Sequence, residues 1–284
     1  MGTCCVYLPL ITKFGLDGFR RQPSYFHSHV FHAAKIIRVR SHCTRIPTCR
    51  ISEIKQTEKN TSHNLTLQDK LNAEQKGQVS LFVDTLLEWS QRMNLTAVGE
   101  RCAMMERHVE DSLALLPVIE DAYGKHCSAT ESENLKVVDV GSGAGLPGVI
   151  LAIARPDWQV TLIESLQKRC CFLEHVVEVS GLSNIQVVHM RAEDAGQNAD
   201  FREMYDVSVA RAVAEMRVLA EYCLPLIRVG GLLVAAKGYN PKEEVENAKK
   251  AIDLMGASML QLCSGNQGTI HDQQFCWQSI RKNK

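Results

Sequence analysis

The sequence lacks a long hydrophobic run: no apolar stretch approaches the ~18–20 residues that a helix needs to cross a bilayer. It also lacks a C-x-x-C pair, although it contains eleven cysteines. Their number is odd, and the adjacent pairs Cys4-Cys5 and Cys170-Cys171 would point in different directions on a helix or strand. Neither a zinc site nor a disulfide framework is therefore indicated. We expect a soluble protein with reduced thiols, without a metal ion and without a membrane partner.

The chain has no net charge, because 32 basic residues balance 32 acidic ones, but the charge is unevenly distributed. Residues 1–52 carry eight lysines and arginines and a single acid, Asp17, which leaves 24 basic and 31 acidic residues beyond them. A basic, acid-poor leader that contains hydroxyl residues is typical of a transit peptide, here predicted as a disordered segment over residues 1–55. The alternative is a basic arm that contacts nucleic acid. A polar linker is predicted at 56–64.

Two regions with different hydrophobic patterns follow the linker. Residues 65–134 have apolar side chains at helical spacing, which predicts a small helical region whose second helix stops before Pro117. Residues 135–284 alternate β-rich runs with helical ones, which predicts an α/β domain with a doubly wound, mostly parallel sheet. The predicted strands are 136–140, 160–163, 186–189, 206–210 and 232–236, and the predicted helices of this domain include 147–154, 215–227 (closed by Gly230-Gly231) and 241–254.

The end of the chain departs from what such a sheet requires. Sheets of this kind close with an antiparallel hairpin, and residues 258–263 supply a candidate for its first strand. The tail 265–284 is polar and offers only Phe275-Cys276-Trp277 for the second strand. The sequence alone leaves the last strand, the closure of the core and full activity undecided.

A glycine-rich loop, Gly141-Ser142-Gly143-Ala144-Gly145-Leu146-Pro147-Gly148, joins the first predicted strand to the first helix of the sheet domain. Glycines permit a tight turn and a close approach of the backbone to a ligand, which in such sheets binds beyond the carboxyl ends of the strands. The spacing Gly143-x-Gly145-x-x-Gly148 matches the dinucleotide fingerprint and would imply NAD. The spacing Gly141-x-Gly143-x-Gly145 after the acidic Asp139 matches the adenosylmethionine-binding form better.

Two acidic positions accompany the loop. Glu164 ends the second predicted strand and suits either ligand, because both have a ribose diol that a carboxylate can accept from. Arg191-Ala192-Glu193-Asp194 follows the third strand, where the adenine edge would lie in a methyltransferase. No separate substrate domain with a hydride-transfer histidine is indicated. We therefore predict S-adenosyl-L-methionine as the cofactor and keep NAD as the alternative.

Seven motifs in register resemble those of a known family over about residues 75–255. The chain is similar to the RsmG (GidB) family, methyltransferases that modify guanine N7 in the decoding-region loop of small-subunit (16S) ribosomal RNA. The Leu-Pro-Gly ending of the loop is the most specific of these features. The motifs are Trp89-x-x-x-x-Asn94-Leu95-Thr96, His108-x-x-Asp111-Ser112, Asp139-Val140-Gly-Ser-Gly-Ala-Gly-Leu-Pro-Gly148, Glu164-Ser165-Leu166-x-Lys168-Arg169, Arg191-Ala192-Glu193, Ser208-x-Ala210-Arg211-Ala212 and Ala236-Lys237-Gly238.

The resemblance implies a Rossmann-like fold of the class I methyltransferase type and an rRNA (guanine-N7)-methyltransferase activity. It also implies that Arg191, Arg211 and Lys237 line the RNA side. The alternatives are that Arg211 forms a surface ion pair and that Lys237 is a solvated strand end. We expect His108 to be a capping or hydrogen-bonded helix residue and not a ligand. The cofactor-binding residues predicted from the loop, the acids and the resemblance together are Gly141, Ser142, Gly143, Gly145, Leu146, Glu164, Ala192, Glu193 and Arg211.

The implied reaction needs no general base, because guanine N7 carries a lone pair and no proton. We therefore predict no catalytic residue and expect catalysis by positioning. The sequence agrees in one respect, since no Asn-Pro-Pro-aromatic motif, common in enzymes that methylate exocyclic amines, follows the fourth strand.

The predicted partner is small-subunit rRNA, in a ribosomal particle and bound by a monomer. The leader predicts an organelle that contains bacterial-type ribosomes, which plastids and mitochondria both do. We predict the chloroplast, with the mitochondrion as the alternative. Two further functions stay open: a methyltransferase of the same fold that acts on a small molecule, and a non-catalytic RNA-binding or assembly factor that keeps the fold.

Overall fold

The structure is a computed structural model that describes residues 67–127, 133–211, 213–237, 242–263 and 273–279. The predicted transit peptide and linker lie outside the described residues, as do Ala212 and Gly238 of the family motifs. The boundaries of those predicted segments stay predictions. Within the described ranges, no helix is both long and apolar enough to span a bilayer.

The helical region begins with a 3-10 turn, Leu67–Lys70, and helix α1, Ala73–Ser90. Asn72 and Gln75 form a reciprocal capping box, in which each side chain accepts from the backbone N–H of the other at 2.9–3.0 Å. The Gln75 amide also donates to the Ile153 carbonyl at 2.9 Å, which fastens the start of α1 to a helix of the sheet domain. The buried face of α1 consists of Val79, Phe82, Val83, Thr85 and Leu86.

The second helical stretch is divided differently from the prediction. It runs through α2, Arg101–Met104, a π-helical turn, Met105–Val109, and α3, Glu110–Leu113. The interruption lies at Ala114, and α4 continues over Leu115–His126, so the predicted stop before Pro117 is wrong. Pro117 lies in the first turn of α4, where backbone N–H groups have no partner within the helix and its missing N–H costs nothing.

The described residues form a seven-stranded sheet in the order β3-β2-β1-β4-β5-β7-β6. The first five strands are parallel, which confirms the predicted doubly wound, mostly parallel α/β architecture. The strand order reverses between β1 and β4, and at such a point the loops beyond the strands' carboxyl ends open into a crevice. The strands are β1 Lys136–Val140, β2 Gln159–Glu164, β3 Ile185–His189, β4 Tyr205–Arg211, β5 Ile227–Lys237, β6 Ala257–Cys263 and β7 Gln273–Ser279.

Two apolar clusters cover the two faces of this sheet. Alternate residues of β1 show the division, because Val137 packs in the cluster with α1 and α5 whereas Val138 packs in the one with α8 and α9. Burial on both faces explains why apolar residues stand at successive positions, such as Val137-Val138 in β1 and residues 232–236 in β5. The helices of the sheet domain are α5 Gly148–Ala154, α6 Gln167–Val179, α7 Ala192–Ala195, α8 Met216–Cys223 and α9 Lys242–Leu254.

Strand β5 begins five residues earlier than predicted. The predicted helix at 215–227 ends at Cys223 and is followed by a 3-10 turn, Leu224–Leu226. Gly230 and Gly231 lie within β5 and do not close the helix. Gly230 has a positive φ of 83°, and the pairing of β4 with β5 shifts register between Tyr205 and Val207, so the two glycines belong to a β-bulge.

A closing strand is present at the edge that the sequence left undecided. Strand β7 lies between β5 and β6 and is antiparallel to both, with Cys276 paired to Val234 on one side and to Gln261 on the other. The candidate first strand at 258–263 corresponds to β6. The sheet therefore ends in the antiparallel hairpin that its parallel part requires.

Candidate functional site

The glycine loop lies at the carboxyl end of β1 and is hydrogen-bonded to β2. The N–H groups of Gly141 and Ser142 both donate to the Ile163 carbonyl, at 2.9 and 3.1 Å. Gly141 has a φ of +70°, and a Cβ at this position would lie 3.0 Å from Cγ2 of Val213. A side chain is therefore excluded here by both conformation and space.

Asp139 lies buried beneath the loop, at the N-terminus of α5. Its Oδ2 accepts from the Gly148 N–H at 2.9 Å, and burial raises the pKa of the carboxyl to about 7. A Cβ on Gly148 would lie 2.7 Å from that oxygen and in contact with Leu162, so the glycine permits the close packing of α5 on the sheet. In a dinucleotide site, the pyrophosphate takes the N–H groups at this helix N-terminus. Because Asp139 already takes one of them, the geometry favours the adenosylmethionine form of the loop.

Glu164, at the end of β2, braces the glycine loop. Its Oε2 accepts from the Gly143 N–H at 2.9 Å and its Oε1 from the Leu166 N–H at 2.8 Å. The Arg169 guanidinium lies 3.8 Å from Oε2. A carboxylate offers about four lone-pair sites, and the Ser165 hydroxyl also donates to Oε1 at 3.5 Å, so Oε2 keeps the capacity to accept from a ribose diol. The predicted ribose contact stays a prediction, and the structure adds a role for Glu164 in holding the loop.

The other half of the loop faces the protein interior. Gly145 has a φ of +82°, and a Cβ there would lie 2.7 Å from Val149 and 3.0 Å from Leu173. Leu146 is buried in the apolar cluster of α1 and α5. These two residues shape the loop by packing, and their predicted contact with the cofactor remains a prediction.

A cavity of about 220 Å³, open to solvent, lies beyond the carboxyl ends of β1, β2 and β3. Four predicted residues line it, namely Gly141, Arg191, Ala192 and Glu193. Among the described residues, the sequence missed Val213 and Tyr222 on the same wall. Tyr222 hydrogen-bonds the Glu193 carboxylate, which raises the pKa of the tyrosine hydroxyl. Neither residue had a sequence signal, because a valine and a tyrosine at these positions look like ordinary packing residues.

Arg211, at the end of β4, joins two of the family motifs. Its Nη1 lies 3.5 Å from both the His108 carbonyl and the Ser112 hydroxyl of the helical region. Burial and the Arg211 charge lower the pKa of His108 to about 4, so its imidazole is neutral at pH 7. The His108 Nε2 lies 3.2 Å from the Thr96 hydroxyl. His108 is therefore a hydrogen-bonded helix residue, as the sequence predicted.

Lys237, the last residue of β5, has protein partners for its ammonium group. Its Nζ donates to the Ala214 carbonyl at 2.6 Å and lies 2.6 Å from Oε1 of Glu244 in α9. The side chain is only 10% exposed. Its predicted contact with RNA stays a prediction, but burial and pairing favour a different role for this lysine.

Comparison with known proteins gives a consistent set of relatives. A family model described as GidB, rRNA small subunit methyltransferase G, matches residues 75–275. A protein of Acetivibrio thermocellus named ribosomal RNA small subunit methyltransferase G is 44% identical over 189 residues, which are 66% of this chain and 73% of that protein. Proteins of the same name from Alkaliphilus oremlandii and Desulforamulus reducens are 45% and 40% identical, over 67% and 74% of this chain and 75% and 80% of their own lengths. The matched range includes most of α1, strands β1 to β6, part of β7 and every residue of the predicted site.

Proposed function

This chain belongs to the GidB family of rRNA small subunit methyltransferase G, and from that premise we propose that it methylates guanine N7 in a small-subunit rRNA. The methyl donor is S-adenosyl-L-methionine. The observation that carries the proposal is the cavity beyond β1, β2 and β3, which Gly141 and Glu193 both line.

The residues around the cavity fit this cofactor. S-adenosyl-L-methionine supplies an electrophilic methyl group when it is bound. Its ribose hydroxyls and its adenine amino group are hydrogen-bond donors, and the chain offers acceptors in the carboxylates of Glu164 and Glu193. Gly141 lines the cavity without a side chain, and its positive φ of 70° allows the turn there.

The chemical step requires positioning and no proton transfer to a protein base. Guanine N7 has a free lone pair, and an in-line displacement needs it about 3–3.5 Å from the reacting carbon. The neutral His108 is already hydrogen-bonded to Thr96, which agrees with a site that uses no histidine base. The contribution of the protein is then to hold an unstacked base against the mouth of the cavity.

RNA is held, in this proposal, by arginines at the rim of the cavity. Arg191 is exposed and lines the cavity wall, so its guanidinium can reach a phosphate or guanine O6. The bidentate contact of arginine with O6 and N7 together is common in nucleic-acid recognition, but here it would block the reacting atom. Because acids outnumber bases beyond residue 52, binding must use a local basic patch.

Isothermal titration with S-adenosyl-L-methionine and, in a parallel run, with NAD tests the cofactor assignment. We expect a saturable heat of binding for the methyl donor and none for NAD. Binding of NAD alone would contradict the proposal and favour the dinucleotide interpretation of Gly143-x-Gly145-x-x-Gly148.

Arg211 tests the methyl-transfer assignment separately. We expect Arg211→Ala to abolish methylation of small ribosomal subunits while the chain stays folded, as judged by circular dichroism. Arg217→Ala removes an exposed arginine of α8 and serves as the matched control with unchanged turnover. Normal turnover of the Arg211→Ala variant would show that the role given to Arg211 is wrong.

The proposal extends to location and assembly. The basic leader supports a transit peptide that directs the chain to the chloroplast. In this proposal the chain acts there as a monomer on a ribosomal particle, and it uses no metal ion. A fluorescent protein fused to residues 1–55 should enter plastids. Entry into mitochondria would favour the alternative organelle, and retention in the cytosol would contradict a targeting role for the leader.

A further inference from the structure

Lys237 and Glu244 form a partly buried ion pair next to the segment that joins β4 to α8. The lysine side chain is 10% exposed and that of Glu244 is 27% exposed, and their charged atoms are 2.6 Å apart. A buried lysine that has lost much of its water requires such a partner. The pair links the carboxyl end of β5 to the first turn of α9.

Both members of the pair also bind the backbone of that joining segment. The Lys237 ammonium donates to the Ala214 carbonyl at 2.6 Å, and the Glu244 carboxylate accepts from the Met216 N–H at 2.5 Å. Met216 is the first residue of α8, whose N-cap residue Glu215 makes no side-chain cap. The carboxylate of α9 therefore supplies the acceptor that the start of α8 lacks.

The same segment contributes Val213 to the cofactor cavity. The two methyl groups of Val213 lie 3.0 and 3.1 Å from the position that a Cβ on Gly141 would occupy, so this valine packs directly on the glycine turn. Val213 is followed at once by Ala214, whose carbonyl Lys237 holds. A shift of the segment would therefore move one wall of the cavity.

We propose that the Lys237–Glu244 pair holds the Val213–Met216 segment in place and thereby positions the wall of the cofactor cavity to which Val213 belongs. Lys237 acts through the backbone that it holds and does not contact an RNA phosphate. This inference rests on the proposed function, because the cavity is taken to receive S-adenosyl-L-methionine.

The two roles of Lys237 make opposite predictions for binding of the methyl donor without RNA. If the pair positions the cavity wall, Lys237→Met should weaken S-adenosyl-L-methionine binding by about tenfold, a typical size for coupling through a packed element. The salt dependence of RNA binding should stay unchanged. A phosphate contact would leave donor binding intact and lower the slope of log K against log salt by about 1.

Glu244→Gln provides a second, milder variant in which the amide oxygen can still accept from Met216. It should also weaken donor binding, although the loss of a negative charge would not impair binding of an RNA. Lys249→Met is the matched control, because Lys249 lies on the same helix in an exposed ion pair with Glu246. We expect that control to bind the donor and RNA as the unmodified chain does.

Hydrogen exchange of the backbone amides from Val213 to Leu219 separates this inference from the proposed function. Exchange should become faster in Lys237→Met and Glu244→Gln but not in Lys249→Met. If the unmodified chain fails to bind the donor, the proposed function fails. Unchanged exchange in the two variants would independently overturn the positioning role of the Lys237–Glu244 pair. Normal donor affinity in the two variants would also overturn the inference. If Lys237→Met does not fold, the donor affinity and the exchange of Glu244→Gln alone decide the test.

Discussion

Gly148 marks the closest approach of α5 to the sheet. A Cβ at this position would contact Leu162 and lie 2.7 Å from Oδ2 of Asp139, and both neighbours are buried. We expect Gly148→Ala to lower the free energy of unfolding by about 1–3 kcal/mol, because a tightly packed site cannot relax to accept a methyl group. Denaturant unfolding followed by circular dichroism measures the change.

Gly77→Ala is the matched control for this substitution. Gly77 lies in α1, and nothing lies within 4 Å of a Cβ added there. Since alanine loses less backbone entropy than glycine in a helix, this variant should gain about 0.5–1 kcal/mol. Equal gains for both variants would show that the packing around Gly148 is looser than the structure has it.

Asp139 makes the stability of the fold depend on pH. Burial raises the pKa of its carboxyl from 3.8 to about 7, so between these values the folded chain keeps a proton that the unfolded chain releases. The free energy of unfolding should therefore fall as pH rises from about 4 to about 7 and should level off on either side of that window. Over the whole window the loss attributable to this group is at most about 4 kcal/mol.

Comparison with Asp139→Asn isolates this effect, because the amide oxygen still accepts from Gly148 while nothing at this position titrates. The stability difference between the two proteins should shift in favour of Asn as pH rises from about 4 to about 7. A difference that stays constant with pH would contradict a raised pKa for Asp139.

The sequence identified those site residues whose chemistry is distinctive. Glycines that need a positive φ, such as Gly141, and a charged residue at a strand end, such as Glu164, stand out against the apolar pattern around them. Val213 and Tyr222 do not stand out, because one is a common strand residue and the other lies on an amphipathic helix. The partner of Lys237 could not be predicted either, since Glu244 meets it through a tertiary contact with no sequence signal.

At the scale of elements, β7 joins β6 to the rest of the sheet through its backbone hydrogen bonds. Each residue of a strand between two others directs its N–H and C=O groups to a neighbouring strand, and Cys276 has paired residues in both β5 and β6. We expect Cys276→Pro to lower the free energy of unfolding by at least about 1–3 kcal/mol, because it leaves a carbonyl of the neighbouring strand without its donor.

Cys276→Val keeps the backbone N–H and is the control for the proline variant. Thermal unfolding followed by circular dichroism should show a large decrease in Tm for proline and a small change for valine. Similar Tm values for the two variants would mean that the pairing of β7 contributes little to the fold.

The elements that the sequence predicted well are short runs rich in valine and isoleucine that end at clear breaks. Strand β1 has the predicted limits, β3 begins one residue earlier than predicted, and β4 is one residue longer at each end. The predicted β5 was too short because Gly230-Gly231 looks like a helix terminator. In the fold these glycines form a bulge, and the strand continues through them. Strand β7 was left undecided because its sequence is polar and its pairing with β5 depends on contacts made across the chain.

At the scale of the whole molecule, the sheet order explains why the motifs of the resemblance meet. Gly141 and Val213 come together because β4 lies next to β1 at the point where the strand order reverses. Arg211 at the end of β4 contacts His108 of the helical region. The glycine loop, the acids after β2 and β3 and the segment after β4 all lie beyond the carboxyl ends of parallel strands. Arg191 and the cavity therefore lie at the same edge of the sheet. The Tyr123–Asp206–Arg228 hydrogen-bond network joins α4 to β4 and β5.

The central claim is that this edge delivers a methyl group to guanine N7. The most direct test is to incubate the purified chain with S-adenosyl-L-methionine labelled in its methyl group and with unmodified small ribosomal subunits, and then to map the label by chemical cleavage specific for N7-methylguanosine. The account predicts label at N7 of a guanine in an unstacked loop of the rRNA. Label on another atom, or no transfer to RNA by a folded chain that binds the donor, would contradict it.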